Sequence, residues 1–236
     1  VCGLLNTGFG WWLKSSLVFG SDFSNSDFTG ANMIAVVVLH SDFSNVDFSD
    51  SNLSLLVSTS EQTADNPSYF ENTNLSGAIF ASAEMRWIHL TSSNLSYADL
   101  TDTILTGAVL DNADLSYADL SYANLGQEIT LVAESSSGAG VVNPTLYNYY
   151  STSARNTSFY HASLQNANLS DGNYINADFR FADLKGADLT NATLIGSNFF
   201  SANLSEVYWN NTICPDGQNS DDNGFTCENN LSFPIL

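Results

Sequence analysis

Large apolar residues recur at every fifth position through three long stretches of the chain. The longest unbroken run has eleven members: Leu75, Phe80, Met85, Leu90, Leu95, Leu100, Leu105, Leu110, Leu115, Leu120 and Leu125. Seven more such positions run from Phe23 to Leu53, and eleven from Phe159 to Trp209. Two places before most of them the residue is small, and the residue between is mostly Asp or Asn. The repeated unit therefore reads Ala-(Asp/Asn)-Leu-x-x.

A period of five predicts that the chain coils. It matches neither the 3.6 of a helix nor the 2 of a strand, so the apolar positions share one core only if the backbone turns after each unit. A second period of 20 appears where the word Ser-Asp-Phe-Ser-Asn at 21–25 returns at 41–45. Four units per coil predict a square cross-section, with successive coils spaced about 4.8 Å apart. The 29 units predict about seven coils.

This repeat resembles that of the pentapeptide repeat family. The resemblance implies an all-β fold, a right-handed quadrilateral parallel β-helix. It also implies that the central Leu or Phe and the small residue two before it point inward, while the other three positions face solvent. We expect this β-helix over residues 21–209.

The rest of the chain is expected to cap or interrupt the β-helix. Residues 1–20 are predicted to form an apolar N-terminal cap, because a solenoid exposes its core at each end. Residues 210–236 are predicted to form a C-terminal cap. Breaks in the repeat predict insertions at about 54–72 and 126–156. The second insertion contains Tyr147, Tyr149 and Tyr150, which we expect to contact a partner.

Charge narrows the function classes. The chain has 25 Asp plus Glu against 5 Lys plus Arg, a formal net charge of −20, so a phosphate backbone would be repelled and direct nucleic-acid binding is not expected. The apolar stretch from residue 8 to 20 is too short for a transmembrane span. His40, His89 and His161 fall far apart at predicted outward positions, which indicates no catalytic or zinc site. We expect a protein that is not an enzyme.

Outward aromatic residues predict a protein-binding surface. An isolated rod would expose Trp87 beside Arg86, the stacked pair Tyr97 and Tyr117, and Arg180 with Phe181. Stacked aromatic residues on one face are typical of a contact site. We therefore predict a protein partner or a larger complex, with peripheral association to a membrane complex as one form of it.

The three cysteines give information about the cellular compartment in which the protein is located. Cys214 and Cys227 lie close enough in sequence to close one loop by a disulfide, whereas Cys2 has no obvious partner. The Cys-Pro-Asp-Gly segment at 214–217, followed by acidic residues and a second Cys, resembles the tail of cyanobacterial and plastid pentapeptide repeat proteins. The sequence starts at Val1 without Met, which suggests either that a targeting segment was removed or that the true N-terminus is missing. We expect an extracytoplasmic location, the thylakoid lumen or the periplasm.

An acidic segment inside this loop is a candidate calcium site. The oxygen-bearing side chains are those of Asp216, Asn219, Asp221, Asn223 and Glu228. The twelfth position of a calcium loop, where a bidentate Glu belongs, is Asn230. The alternative is a solvated acidic turn held by the disulfide.

These observations are compatible with three alternative functions. The first is a structural or accessory protein docked from the lumenal side on a larger, membrane-associated complex, a photosynthetic complex being one option. The second is a mimic of DNA that inhibits or protects a type II topoisomerase, as some members of the resembled family do. The third is an extracellular fibre component, glycosylated or bound to calcium. It draws on nine sequons at Asn52, Asn74, Asn94, Asn156, Asn168, Asn191, Asn203, Asn210 and Asn230.

Overall fold

The computed structural model describes most of the repeat region and the C-terminal segment. The described residues are 5–6, 11–12, 17–34, 37–39, 43, 46–48, 51–53, 56, 68–132 and 146–231. Short β-bridges connect consecutive coils in four parallel columns, one for each side of a square. This is the coiled architecture that the period of 20 predicts.

Each repeat unit ends in a corner whose hydrogen bonds explain the sequence pattern. In a representative unit the inward Leu100 accepts a hydrogen bond from the backbone N–H of Thr103, at 3.3 Å. The carboxylate of Asp99 accepts a second one from the N–H of Thr101, at 3.1 Å. Asp102, the third residue of the turn, has a φ of 56°, typical of a type II turn. Asp or Asn thus precedes the inward residue because its short side chain caps the turn.

The bridge register locates both insertions. One column runs through Asp27, Asp47, Asn74, Asn94, Asp114, Ser158, Asp178 and Asn198. Its steps are 20 residues except for two, of 27 and 44 residues, so seven and 24 residues are inserted. Hydrogen bonds in the neighbouring columns place the short insertion between 56 and 68, and the long one between 124 and 153. The coil returns to register after each insertion.

The long insertion contains an antiparallel hairpin. Its strands, β5 (Glu128–Val132) and β6 (Leu146–Tyr150), pair in register from Glu128 opposite Tyr150 to Val132 opposite Leu146. The β6 side chains lie outside the described residues, so the predicted contact role of Tyr147, Tyr149 and Tyr150 stays a prediction.

Like residues stack in the core, as the 20-residue period predicts. The rings of Phe159 and Phe179 stack at 4.8 Å between centroids, and those of Phe179 and Phe199 at 4.7 Å. Most inward Leu and Ala residues are almost completely buried, and Ala202 and Leu204 in the last coil are partly buried. Tyr174 is an exception to the pattern, because its hydroxyl is buried without a hydrogen-bond partner among the described residues.

The coil register extends upstream of its predicted start. Strand β3 (Leu17–Phe19) pairs in parallel with β4 (Val37–Leu39), 20 residues later. The helical register therefore holds from residue 17, four positions before the predicted boundary, because Val18 is already an inward, buried residue. Upstream, β1 (Leu5–Asn6) pairs antiparallel with β2 (Trp11–Trp12). The rest of the predicted N-terminal cap lies outside the described residues.

A disulfide ties the C-terminal segment to the core. Cys214 takes an inward position of the repeat, and its sulfur bonds to Cys227, with both residues fully buried. Two 3-10 helices, Ser220–Asn223 and Glu228–Asn230, lie in this segment. Ser220 is buried and donates its hydroxyl to the carbonyl of Trp209. The segment therefore packs against the end of the rod through both a covalent and a polar contact.

Candidate functional site

Four aromatic side chains line one corner of the rod in consecutive coils. They are Tyr97, Tyr117, His161 and Phe181, all at the third residue of a turn, and we call them the aromatic ladder. Their ring planes are nearly parallel, at 3°, 4° and 7° between neighbours. The centroids lie 4.9, 5.1 and 4.9 Å apart. The ladder is a continuous stack that follows the rod axis.

Backbone hydrogen bonds set the spacing of this stack. The N–H of Tyr117 donates to the carbonyl of Tyr160 at 2.9 Å, and the N–H of His161 donates to that of Arg180 at 3.1 Å. Each corner is thereby fixed to the next one. Because the 24 inserted residues leave the rod without disturbing the register, the ladder passes from Tyr117 to His161 at the same spacing as elsewhere.

A second row of side chains lies beside the C-terminal half of the ladder, which consists of His161 and Phe181. The ring of Tyr160 meets His161 edge to face at 4.4 Å, and Phe200 meets Phe181 in the same manner at 5.7 Å. Between them, the guanidinium carbon of Arg180 lies 5.4 Å from the Tyr160 ring centre. We call the ladder together with Tyr160, Arg180 and Phe200 the aromatic corner.

The aromatic corner is open to solvent although its rings are large. Tyr97 is 66% exposed and Tyr117, stacked on both faces, is 46% exposed. Both also have a left-handed backbone, with φ of 60° and 62°. This conformation recurs at the corners along the rod and costs about 1 kcal/mol or more for a residue with a side chain. Asn and Gly take many other corners of the rod, whereas this corner carries aromatic side chains in consecutive coils.

Carboxylates flank the aromatic corner on both adjacent sides of the rod. Asp114 and Asp178 belong to the column of bridges before it, and Asp99, Asp119 and Asp183 to the column after it. Arg180 is held by Asp178, with its Nη2 2.7 Å from a carboxylate oxygen. The hydrogen bonds and the charge of Asp178 raise the pKa of Arg180 above its usual value. The site is thus an aromatic strip between two acidic columns.

The structure joins residues that the sequence predicted only in separate pairs. Tyr97 with Tyr117, and Arg180 with Phe181, were both predicted as contact residues, and the structure brings all four into one surface. Sequence reasoning missed His161, Tyr160 and Phe200. The period of 20 would have placed Tyr160 and Phe200 in the column of Arg180, and His161 in that of Phe181. The length of the long insertion is the further signal that aligns Tyr117 with His161.

The predicted exposure of Trp87 is wrong. Trp87 has a left-handed φ of 55°, like the ladder residues, but is only 6% exposed. The position in the repeat predicts exposure, yet a side chain of this size can fold back over the rod, and the next residue of its column is Gly107. Arg86 beside it is half-buried and donates from Nη1 to the hydroxyl of Thr106 at 3.3 Å. These two residues do not join the aromatic corner.

Four of the five candidate calcium ligands have hydrogen-bond roles within turns. Asn219 caps the 3-10 helix by accepting from the N–H of Asp221 at 2.9 Å, and Asp221 accepts from the N–H of Asn211 at 2.8 Å. Asp216 accepts from the N–H of Gln218, and Asn223 donates to the carbonyl of Asn219. Within the described residues no three His, Cys, Asp or Glu side chains are grouped so that they could hold a metal ion. The loop is therefore built as a set of capped turns.

One further polar cluster joins the coils on either side of the long insertion. Asp111 accepts hydrogen bonds from Nε and Nη2 of Arg155 at 3.0 and 2.6 Å. It also accepts from the hydroxyl of Ser153 at 2.7 Å and the N–H of Arg155 at 2.9 Å. Burial raises the pKa of Asp111, but the bonds and charge of Arg155 and the bond from Ser153 outweigh burial, so that pKa is lowered. This cluster restores the register where the chain re-enters the coil.

No helix in the described part of the chain is long and apolar enough to cross a bilayer.

Comparison with known families identifies the class of protein. The family model for pentapeptide repeats matches eight copies in this chain, over residues 20–54, 68–96, 93–127 and 173–208. Because these matches cover more than half of the sequence, the protein belongs to the pentapeptide repeat family. Proteins of this family form right-handed quadrilateral β-helices and are non-enzymatic structural or binding proteins.

Several solved structures are similar to this chain. A trypsin-treated form of QnrB1, a plasmid-mediated fluoroquinolone resistance protein, has 14% identity and a TM-score of 0.47, covering 95% of this chain and 99% of its own. HetL, involved in heterocyst differentiation regulation in the cyanobacterium Nostoc sp. strain PCC 7120, has 21% identity and a TM-score of 0.34, with coverages of 87% and 92%. A pentapeptide repeat protein from the Arabidopsis thaliana thylakoid lumen has 18% identity and a TM-score of 0.17, with coverages of 86% and 72%. No curated protein matches the sequence.

Proposed function

We propose that this protein is a non-catalytic accessory protein that docks on a larger complex through its aromatic corner. The observation that carries this proposal is the continuous stack from Tyr97 to Phe181, exposed along one edge of the rod. Exposed aromatic area with little conformational freedom is what protein interfaces concentrate at their centre. The stack meets that description, because each ring is held on at least one face by its neighbour.

The rigid scaffold supports the same proposal. We infer about seven continuous coils, closed at the C-terminal end by the disulfide between Cys214 and Cys227. A rod of that number of coils is roughly 35 Å long and presents its corner residues at a fixed spacing. Such a surface suits a large partner with a regular contact face better than a small ligand.

The proposed compartment is extracytoplasmic, either the thylakoid lumen or the periplasm. Structural disulfides persist in oxidising compartments and are rare in the cytosol. The buried disulfide at the rod end supports this part of the proposal. Cell fractionation with thiol labelling tests it. A reduced Cys214 in a cytosolic fraction would reject the proposed location.

Affinity capture from native membranes tests the docking function. The tagged protein is compared with Tyr117→Asn, which breaks the ladder, and with Tyr122→Asn as the matched control. Tyr122 is also a corner residue, with a φ of 62° and 62% exposure, but it lies at a different corner. We expect membrane-complex subunits to be captured by the unchanged protein and by Tyr122→Asn, and lost with Tyr117→Asn.

Other outcomes of the same capture reject the proposal. A partner that is retained by Tyr117→Asn would show that the aromatic corner is not the docking surface. Recovery of a type II topoisomerase, with inhibition of its supercoiling activity by the pure protein, would favour the DNA-mimic alternative for this chain of net charge −20.

A further inference from the structure

One end of the aromatic ladder is uncovered. The residue before Tyr97 in this corner column is Gly77, whose N–H donates to the carbonyl of Ser96 at 2.9 Å, just as the N–H of Tyr97 donates to Ser116 at 3.0 Å. Glycine has no side chain, so the column supplies no ring for the outer face of Tyr97. Tyr97 is accordingly the most exposed tyrosine of the ladder, at 66% against 46% for Tyr117. A planar group can extend the stack at this position.

The opposite half of the aromatic corner already holds a planar cation. Arg180 lies over the Tyr160 ring at 5.4 Å while its Nε and Nη2 donate to Asp178 at 2.9 and 2.7 Å. A guanidinium between a ring face and a carboxylate is therefore a geometry that this corner supports. Guanidinium suits the geometry because it is planar and its N–H donors lie in the plane, whereas an ammonium is a point charge.

The Tyr97 end has a ring and a carboxylate without the cation. Asp99 follows Tyr97 by two residues in the same coil, and the residue before Asp99 in its column of bridges is Ile79. Among the described residues Asp99 forms no ion pair. The carboxylate of Asp99, two residues from the open ring, leaves negative charge that an arginine of the partner can neutralise.

We propose that the aromatic corner binds a basic segment of a protein partner, with an arginine side chain stacked on the free face of Tyr97 and paired with Asp99. This inference rests on the proposed docking function and names the chemistry of the partner. Charge complementarity selects this occupant. The acidic columns repel a second copy of this chain, a nucleic acid and an anionic membrane.

Titration with synthetic peptides tests the inference. One probe is a short peptide that alternates arginine with serine, and the other has lysine in place of each arginine. Binding is measured by calorimetry with the unchanged protein, with Tyr97→Asn and with Tyr122→Asn. Asn suits both positions because Asn25, Asn112 and Asn176 take the same left-handed corner conformation elsewhere in the rod. Circular dichroism establishes that each variant keeps the fold.

We expect the arginine peptide to bind roughly two- to fivefold more tightly than the lysine peptide, as a single exposed cation–π contact provides. Tyr97→Asn should abolish this preference and Tyr122→Asn should retain it. Equal affinities of the two peptides for the unchanged protein would overturn the inference. So would an equal loss of the preference in both variants, since diffuse attraction to an acidic rod predicts that result.

The peptide experiment and the capture experiment can each reject its own proposal independently of the other. Capture that depends on Tyr117, together with no arginine preference, leaves the docking function standing and rejects the arginine site. Capture that ignores Tyr117 rejects the docking function, whatever the peptides do. Self-association of the protein, measured by sedimentation and lost with Tyr97→Asn, would show that a second copy of the chain occupies the corner and would also reject the inference.

Discussion

The rings of Tyr117 and His161 stack at 5.1 Å with their planes 4° apart, although 44 residues separate them in the sequence. This contact joins the two halves of the aromatic ladder across the long insertion. Each ring also stacks on a further neighbour, so the contact is part of one continuous surface and not an isolated pair.

Replacement of Tyr117 by Asn should lower the free energy of unfolding by about 1 kcal/mol. The variant loses two parallel stacks, each contributing roughly 0.5–1.5 kcal/mol, while relief of the left-handed backbone strain offsets part of that loss. Tyr122→Asn relieves similar strain without losing a stack, so its stability should stay unchanged or rise slightly. Urea denaturation of the three proteins measures the contrast. An equal effect in both variants would mean that the ladder contributes nothing to stability.

Asp111→Asn should destabilise the protein at neutral pH by about 2 kcal/mol, because the hydrogen bonds to a charged partner are weakened. The pKa of Asp111 is lowered in the folded state, so its stabilising effect is present above its ordinary value near 3.8 and is lost as the pH falls through the lower folded value. The difference in melting temperature between Asp111→Asn and the unchanged protein should therefore shrink below about pH 4.

Asp114→Asn provides the control for that experiment. Asp114 caps its own turn by accepting from the N–H of Ser116 at 3.0 Å, and Asn94 makes the same bond in the preceding coil. The Asn variant should accordingly retain most of the stability at pH 7. A loss as large as that of Asp111→Asn would show that the effect comes from replacing any turn-capping Asp and not from the contact with Arg155.

Tyr174→Phe should raise the free energy of unfolding by about 1 kcal/mol, since it removes a buried hydroxyl that lacks a hydrogen-bond partner. Burial also raises the pKa of Tyr174, so ionisation gives the hydroxyl no relief. Gly172→Ala should be destabilising, because the new Cβ would lie 2.4 Å from the Tyr174 ring. The double change Gly172→Ala with Tyr174→Leu restores the common repeat and should recover stability. Thermal melts check all three, and continued instability of the double variant would count against this account.

Cys227→Ser should lower stability by about 3 kcal/mol, the chain-entropy estimate for a loop of this size. The two cysteines are 13 residues apart. A reducing agent should lower the melting temperature of the unchanged protein and leave that of Cys227→Ser unaffected. An unchanged melting temperature after verified reduction would mean that the cap holds without its covalent link.

Removal of calcium should leave the melting temperature unchanged. Asn219 and Asp221 are engaged in turn caps, so the 3-10 helix Ser220–Asn223 does not depend on an ion for its polar contacts. Melts with a chelator and with added calcium measure this. A rise in melting temperature on calcium addition, lost with Asp221→Asn, would contradict this expectation and support the calcium-loop hypothesis.

The repeat made the fold predictable from the sequence. The Asp or Asn before each inward residue caps a turn locally, and the 20-residue period fixes which residues stack, as in Phe179 on Phe199. Both features depend on neighbours in sequence or at a constant spacing. That is why the coil, its four sides and its inward residues could be predicted without coordinates.

The candidate site was only partly predictable. The pair Tyr97 and Tyr117 follows from the period of 20, but the alignment of Tyr117 with His161 depends on how many residues leave the coil. Nothing local in the sequence states that number. The burial of Trp87 was missed for a different reason, since the repeat position fixes the direction of the Cα–Cβ bond and not where a long side chain settles.

The two insertions have a consequence for how distance is measured along this molecule. A coil that contains 27 or 44 residues advances along the axis by the same single layer as one that contains 20. The position of a residue along the rod axis is therefore given by the number of coils before it. The inserted residues project from the side of the rod and do not lengthen it. An insertion at either of these two places can therefore change in length without altering the distance between any two coils that a partner contacts.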